Sequence, residues 1–142
     1  MFYVLVSGKR NFDDYHAFKQ FMDDSLQEVK DDIEIIAGEA RGADYLAKIY
    51  ASEKGYSYKG FPAYWEKFGN AAGPIRNLEM INYIKEKNGK AVFFWDGMSK
   101  GTGDCLRKAR SCGIMCEICN IEINDLEQEK IGDVYRPRRS SR

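Results

Sequence analysis

The chain of 142 residues has the length of one domain, and an apolar content of 44% is enough to bury a hydrophobic core. Its 22 basic and 22 acidic side chains give a formal charge of zero, so composition favours no polyanionic partner and any basic site must be local. No run approaches the roughly 20 apolar residues that span a membrane, and no basic leader region precedes the first apolar run. We therefore expect a cytoplasmic protein without a membrane partner.

Strands and helices alternate among the predicted elements. Apolar runs rich in β-formers predict the strands, and apolar residues spaced by three and four predict the helices. Asp13 or Asp14 can cap the first helix, where His16 lies off the apolar stripe and is expected on the surface. In chain order the predicted elements are a strand at 2–6, a helix at about 15–29, a strand at 33–37, a helix from Ala43 to the terminator Gly55, a strand at 56–61, a helix opened by Pro74, a strand at 91–95, a helix at 104–112 and a strand at 114–118.

A long connection, residues 62–73, contains three aromatics and two glycines without clear periodicity and is predicted to be a loop. Two interpretations of its aromatic residues stay open: a mini-core that fixes the loop, or a cover that stacks on a base. The helix opened by Pro74 is predicted to place Arg76 and Asn77 in its first turn, near the positive end of the helix dipole. The predicted inner side of this helix consists of Ile75, Leu78, Ile81 and Ile84.

The alternation of strands and helices predicts an α/β fold with right-handed crossovers. We expect a single Rossmann-like three-layer sandwich with a mostly parallel sheet of about five strands. This domain is predicted to cover residues 1–123. Residues 124–142 form a predicted polar C-terminal tail that is partly disordered, because their composition is polar and basic.

The turns that follow the strands of a parallel sheet gather along one edge, and four of these turns are polar and contain glycine. Glycine permits close approach, while backbone amides, helix N-termini and guanidinium groups favour phosphate. The sequence therefore predicts an anion site at the C-terminal edge of the sheet. The predicted ligand-binding residues are Ser7, Gly8, Arg10, Gly38, Arg41, Gly42, Asp44, Trp65, Arg76, Asn77, Asp96, Gly101, Thr102 and Gly103.

Several of these residues have a structural alternative. The segment 101–103 is also typical of a turn with a capping hydroxyl, and Arg41 also suits a surface ion pair. Asp96 is placed to bind ribose hydroxyls, but an aspartate after a strand equally suits turn formation.

The cysteines give little support to a metal site. Cys116 and Cys119 have the spacing of a zinc pair, but residues three apart on a strand point to opposite faces. Cys105, on a predicted helix, is expected to be a small buried apolar residue. We predict neither a metal nor a cofactor.

Five motifs occur in one order over residues 3–118: Ser-Gly-x-Arg, Gly-Glu-Ala-Arg-Gly-Ala-Asp, Phe-Pro-Ala-x-Trp, Gly-x-Ala-Ala-Gly-Pro-Ile-Arg-Asn and Phe-Trp-Asp-Gly-x-Ser-x-Gly-Thr. Together they resemble the YspA/YpsA-related branch of the SLOG superfamily. The resemblance implies a Rossmann-like domain of unknown function that binds nucleotide-derived ligands, including ADP-ribose-like or cyclic nucleotide signals, in bacterial or phage conflict.

The Lonely Guy phosphoribohydrolases, which are distant SLOG relatives, cleave a base from a nucleoside monophosphate. Their Gly-Gly-x-Gly-Thr-x-x-Glu motif and upstream arginine resemble Gly101, Thr102 and Arg76 of this chain. Cys105, however, stands where the motif has its glutamate, and a thiol does not readily replace a carboxylate in glycosidic hydrolysis. The remaining candidates for a catalytic carboxylate are Glu39, Asp44, Asp96 and Asp104.

The sequence favours binding over catalysis. The leading hypothesis is a sensor or sequestering protein for a phosphorylated nucleoside or nucleotide-derived ligand. The alternative is a hydrolase of the N-glycosidic or pyrophosphate bond of a nucleotide. A third hypothesis is single-stranded nucleic-acid binding, against which the neutral charge counts. A small molecule is the expected partner, and a homo-oligomer is left open.

Overall fold

The structure, a computed structural model, describes residues 1–122. Its strands are β1 (Phe2–Gly8), β2 (Ile33–Gly38), β3 (Ser57–Phe61), β4 (Gly89–Trp95) and β5 (Cys116–Asn120). Its helices are α1 (Tyr15–Leu26), α2 (Ala43–Lys54), α3 (Trp65–Phe68), α4 (Ala72–Ile84) and α5 (Lys100–Ser111), with a 3-10 helix (Gly69–Ala71) between α3 and α4.

Within residues 1–122 the five strands form one all-parallel sheet in the order β3-β2-β1-β4-β5. Helices α1 and α2 cover one face, where Phe18 and Tyr50 are fully buried. Helices α4 and α5 cover the other face with Ile81 and Leu106. The α/β fold and the Rossmann-like sandwich predicted from the sequence are confirmed.

The apolar run predicted at 91–95 belongs to an internal strand buried on both sides. Phe94 packs in the core beneath α1 and α2, and its neighbour Phe93 packs in the core beneath α4 and α5. Opposite directions of successive side chains along a strand explain why an unbroken apolar run suits this position.

Two predicted helix ends are confirmed. The Asp14 side chain caps α1 by accepting a hydrogen bond from the Ala17 backbone N–H at 3.0 Å. Gly55 ends α2 in the left-handed conformation with φ of 76°. His16, on the outer side of α1, is exposed as expected.

The prediction of a loop over residues 62–73 is wrong for most of its length. This segment contains α3, the 3-10 helix and the first two residues of α4. Because α4 begins at Ala72, Arg76 lies in its second turn and not in its first. Leu78, which was predicted on the inner side of this helix, is 45% exposed. The polar residue Asn77 is buried on the inner side in its place.

The predicted start of the last helix at residue 104 is also wrong, because α5 begins at Lys100. The Asp96 carboxylate accepts hydrogen bonds at 2.9 Å from the backbone N–H groups of Met98 and Ser99. The Ser99 carbonyl then accepts the first helical hydrogen bond, from Gly103 N–H at 3.1 Å. Residues 101–103 therefore form the first helical turn, and the following strand covers Cys116–Asn120 where 114–118 was predicted.

The predicted tail at 124–142 lies outside the described residues. Among residues 1–122, no helix combines the length and hydrophobicity needed to cross a bilayer.

Candidate functional site

A cleft of about 660 Å³ lies at the C-terminal edge of the sheet. Its walls come from the segment after β1, the turn after β2, and the N-terminal parts of α3, α4 and α5. Strand β1 lies between β2 and β4 in the sheet, so the chain order reverses here. Ligands of open α/β sheets bind at such a switch point, and the volume suits a small molecule of nucleotide size.

Most of the predicted ligand-binding residues come together in this cleft. Those that line it are Ser7, Gly8, Arg10, Arg41, Asp44, Trp65, Arg76, Asn77, Gly101 and Thr102. The predicted residues outside its lining are Gly38, Gly42, Asp96 and Gly103, together with the catalytic candidate Glu39.

The charge of the cleft contrasts with the neutrality of the whole chain. Two carboxylates line it, Asp44 and Asp104. Six basic side chains of the described residues line it: Lys9, Arg10, Arg41, Arg76, Lys100 and Arg107. The cleft therefore carries an excess of positive charge that favours an anion.

Three of these six residues, Lys9, Lys100 and Arg107, were not among the predicted site residues. Lys100 and Arg107 were missed because the helix was expected to begin at 104. With α5 starting at Lys100, the spacing of Lys100, Asp104 and Arg107 at i, i+4 and i+7 places them on one helical face.

Arg76 reaches into the cleft from α4 and crosses the end of β2. Its Nε donates to Asn77 Oδ1 at 3.0 Å, and its Nη1 is 3.5 Å from the Phe61 carbonyl oxygen. A Cβ atom at Gly38 would overlap the Arg76 guanidinium and would lie 2.9 Å from Asp44 Oδ2. Gly38 thus makes room for two side chains of the site without lining the cleft.

Asn77 joins α4 to the first turn of α5. Its side chain is 4% exposed, and its Nδ2 donates to the Gly101 carbonyl oxygen at 3.2 Å and to Asp104 Oδ2 at 3.0 Å. Since its Oδ1 accepts from Arg76, Asn77 orients a basic side chain and an acidic one at once.

Asp44 is the more buried of the two cleft carboxylates. It is 7% exposed, and its Oδ2 accepts a hydrogen bond from the Ala40 backbone N–H at 3.3 Å, which holds the turn after β2. Burial raises the pKa of Asp44 to about 7, although Arg76, the Ala40 N–H and Arg10 act in the opposite direction. This carboxyl group therefore titrates near neutral pH.

Asp104 is held in its ionised form. Lys108 Nζ lies 2.6 Å from its carboxylate oxygens, and Arg107 Nη2 lies 3.8 Å away. Partial burial raises the pKa of Asp104, but hydrogen bonds from Lys108 and Asn77 outweigh it and hold the pKa below its ordinary value. The two carboxylates of the cleft thus have pKa values shifted in opposite directions.

Asp96 and Glu39 have structural roles outside the cleft. Asp96 shapes the turn before α5, and its Oδ2 lies 3.6 Å from Lys9 Nζ. Glu39 accepts a hydrogen bond from the Tyr58 hydroxyl at 2.7 Å and lies against Gly60. Of the two roles considered for Asp96, ribose binding and turn formation, the structure shows turn formation.

The aromatic residues of α3 and the residue before it do not form a buried mini-core. Tyr64, Trp65 and Phe68 remain 57%, 46% and 37% exposed. Trp65 lines the cleft, and the Arg10 guanidinium carbon lies 5.4 Å from its ring centroid. An exposed indole at the rim leaves an aromatic surface available for stacking.

Comparison with known proteins identifies the family of this chain. A model of the YspA, cpYpsA-related SLOG family matches residues 2–68. The gene 61 protein of Mycobacterium phage D29 is similar, with 32% identity over 118 residues that span 78% of this chain and 90% of the relative. The chain belongs to the YspA, cpYpsA-related SLOG family.

Cys105 of this SLOG domain lies beneath the cleft and is fully buried. Burial raises the pKa of its thiol to about 12, although hydrogen bonding with Ser7 lowers it slightly. The thiol is therefore neutral and unsuited to nucleophilic chemistry. Cys116 and Cys119 pack in the cores on opposite faces of the sheet, as their spacing predicted.

Two further predicted glycines of the SLOG domain serve packing. Gly42 has φ of 76°, and a Cβ there would overlap the carbonyl groups of Lys9 and Arg10. Gly103 faces the Trp95 ring, which a Cβ would approach to 3.1 Å. Within residues 1–122, no group of three or more His, Cys, Asp or Glu residues is arranged to hold a metal ion.

Proposed function

We propose that this SLOG domain binds a phosphorylated nucleoside or a nucleotide-derived ligand, such as an ADP-ribose-like or cyclic nucleotide signal, as a sensor or sequestering protein. The observation that carries the proposal is the convergence of six basic side chains on one cleft of a chain with zero formal charge. Membership of the SLOG family supports a nucleotide-related ligand.

The α4 and α5 walls supply the groups that suit phosphate. The first N–H groups of a helix have no acceptor within the helix, and those of α5 begin at Lys100 on the cleft wall. Gly101 has open space where a Cβ would project, which permits close approach of an anion. Arg76 adds a guanidinium fork that Asn77 orients.

Trp65, which lines the cleft beside the start of α4, supplies a group that suits a base. Trp65 is 46% exposed at the cleft, and Arg10 lies near its ring. A flat base stacked on the indole would gain about 1–3 kcal/mol. The phosphate of such a ligand would then face the basic wall, as in a nucleotide.

Isothermal titration calorimetry tests the proposal with NAD, ADP-ribose, cyclic ADP-ribose isomers and cyclic dinucleotides. We expect at least one of these compounds to bind the wild type, and Arg41→Ala and Arg76→Ala to weaken it by at least about 10-fold. Arg110→Ala is the matched control, because Arg110 is an exposed arginine of α5 outside the cleft. No heat of binding from any compound would contradict the proposal.

Hydrolysis of a nucleotide bond is the second candidate function. The observation that favours it is the pair of cleft carboxylates, of which Asp44 has a raised pKa and Asp104 a lowered one. Such opposed shifts are typical of an acid and a base in one active site. Overnight incubation with nucleoside monophosphates and NAD, followed by chromatography, would show free base with the wild type but not with Asp44→Asn or Asp104→Asn.

A further inference from the structure

We infer that Asp44 accepts a hydrogen bond from a ribose hydroxyl of the bound ligand, beside a phosphate held by Arg76, so that the cleft selects ribonucleotides over deoxyribonucleotides. This inference rests on the proposed function and assigns the sugar of the ligand. Its basis is a buried carboxylate that lines the cleft and has one oxygen, Oδ1, without a hydrogen-bond partner in the described residues.

The hydrogen bonds of Asp44 are incomplete. Within the part of the chain that the structure describes, its Oδ2 accepts one bond from Ala40 N–H and its Oδ1 accepts none. A carboxylate offers about four acceptor positions, and a buried polar group without partners is costly. The side chain is 93% buried and lines the cleft, where a ligand hydroxyl would complete the hydrogen bonds of the carboxylate.

The surroundings of Asp44 favour a neutral donor. Arg76 and Arg10 act on Asp44 from α4 and the segment after β1, and they oppose a cationic ligand group. Glu39 acts from the turn after β2, Tyr58 from β3 and Cys105 from α5. A phosphate placed directly against Asp44 would repel its ionised form, whereas a hydroxyl donates without adding charge.

Asp44 and Arg76 lie close enough to recognise neighbouring groups of one sugar phosphate. Both project into the space above Gly38, where a single added Cβ would contact each of them. Arg76 uses its Nε to bond Asn77 and its Nη1 to reach the Phe61 carbonyl oxygen, so among the contacts of the described residues its Nη2 remains for a phosphate oxygen.

The test compares AMP with 2′-deoxy-AMP and 3′-deoxy-AMP at pH 8.5, where Asp44 is ionised, by calorimetry or NMR titration. We expect the wild type to bind AMP about 10-fold more tightly than at least one deoxy compound. Asp44→Ala should reduce that ratio to about 1, and Asp44→Asn should reduce it several-fold. Asp31→Asn, an exposed aspartate at the opposite edge of the sheet, should leave the ratio unchanged.

Different results separate the inference from the proposed function. Equal affinity of the wild type for the three compounds, or an unchanged ratio in Asp44→Asn, would overturn the assignment of Asp44 while leaving nucleotide binding in place. If the wild type bound none of the three, nor any of the compounds named under the proposed function, the proposed function would fail as well. The wild-type comparison decides the question even if Asp44→Ala does not fold.

Discussion

The burial of Asp44 makes the stability of the folded chain depend on pH. Asp44 is 93% buried, and its pKa is raised from 3.8 to about 7. Between these pH values the folded state keeps the Asp44 proton, whereas the unfolded chain has released it. The stabilisation of the fold that comes from the protonated carboxyl group is therefore complete below about pH 4 and is lost as pH rises through 7. A shift of about three units corresponds to a free energy on the order of 4 kcal/mol.

Asp44→Asn should remove this pH dependence, because an amide carries no charge to bury. We expect urea denaturation at pH 8 to show the variant more stable than the wild type by about 2–4 kcal/mol, with the difference disappearing near pH 4. Asp31→Asn controls for the loss of an exposed charge. A difference in unfolding free energy between Asp44→Asn and the wild type that stays constant over this pH range would contradict the raised pKa of Asp44.

Arg76 should not be replaceable by lysine. Its Nε donates to Asn77, its Nη1 lies 3.5 Å from the Phe61 carbonyl oxygen, and the side chain lines the cleft. A lysine keeps the charge but cannot make both contacts. We expect Arg76→Lys to weaken binding of the best ligand about 10-fold in calorimetry, and wild-type affinity in this variant would show that charge alone matters.

At the scale of secondary-structure elements, the two glycines that flank α2 show how backbone conformation and packing each restrict a position. Gly42 and Gly55 both have φ of 76°, but ψ is −134° at Gly42 and 22°, in the left-handed helical region, at Gly55. Gly55 has open space around it, whereas Gly42 lies against the carbonyl groups of Lys9 and Arg10. Alanine should therefore cost only left-handed strain at Gly55, but strain and overlap at Gly42.

We expect chemical denaturation to show a loss of about 1–2 kcal/mol for Gly55→Ala and at least about 2 kcal/mol more for Gly42→Ala. Gly42→Ala should also weaken ligand binding, because it displaces the segment after β1 that lines the cleft. Equal losses of stability in the two variants would show that neither the overlap at Gly42 nor its different backbone conformation adds a cost.

The start of α5 and the inner side of α4 were predicted wrongly from the local sequence pattern. Gly101 and Gly103 indicate a turn, but Asp96 hydrogen bonds and the close packing of Trp95 on Gly103 place them in α5. In α4, the apolar residue Leu78 suggested an inner position that Asn77 occupies through hydrogen bonds to α5. The error in α4 arose from contacts between residues distant in the sequence, which propensity does not contain. The error in α5 arose because nearby side chains, Asp96 and Trp95, favour the helix over the turn that the glycines indicate.

For the molecule as a whole, the alternation of apolar runs and amphipathic patterns was enough to predict the α/β sandwich and the edge that carries the cleft. The strand order β3-β2-β1-β4-β5, which brings the segments after β1, β2 and β4 together, was not predicted. The contribution of Lys100 and Arg107 depends on the start of α5, so the sequence underestimated the charge of the site.

Because basic side chains outnumber carboxylates along the cleft of a neutral chain, ligand binding should depend on salt. We expect affinity to fall several-fold between about 50 and 300 mM NaCl, as ions screen the exposed side chains Arg10, Arg41 and Lys100. The decrease should be smaller in Arg41→Ala. A salt-independent affinity would indicate that these cations do not contact the ligand.

Binding of a phosphorylated nucleotide in the cleft at the C-terminal edge of the sheet can be followed residue by residue in an NMR titration of the ¹⁵N-labelled chain with ADP-ribose and AMP. We predict saturable shifts in the amide signals of Ser7, Gly8, Arg41, Gly101 and Thr102, and no such shifts in Arg76→Ala at the same concentrations. Shifts confined to residues outside the cleft, or no shift with either compound, would contradict binding in the cleft.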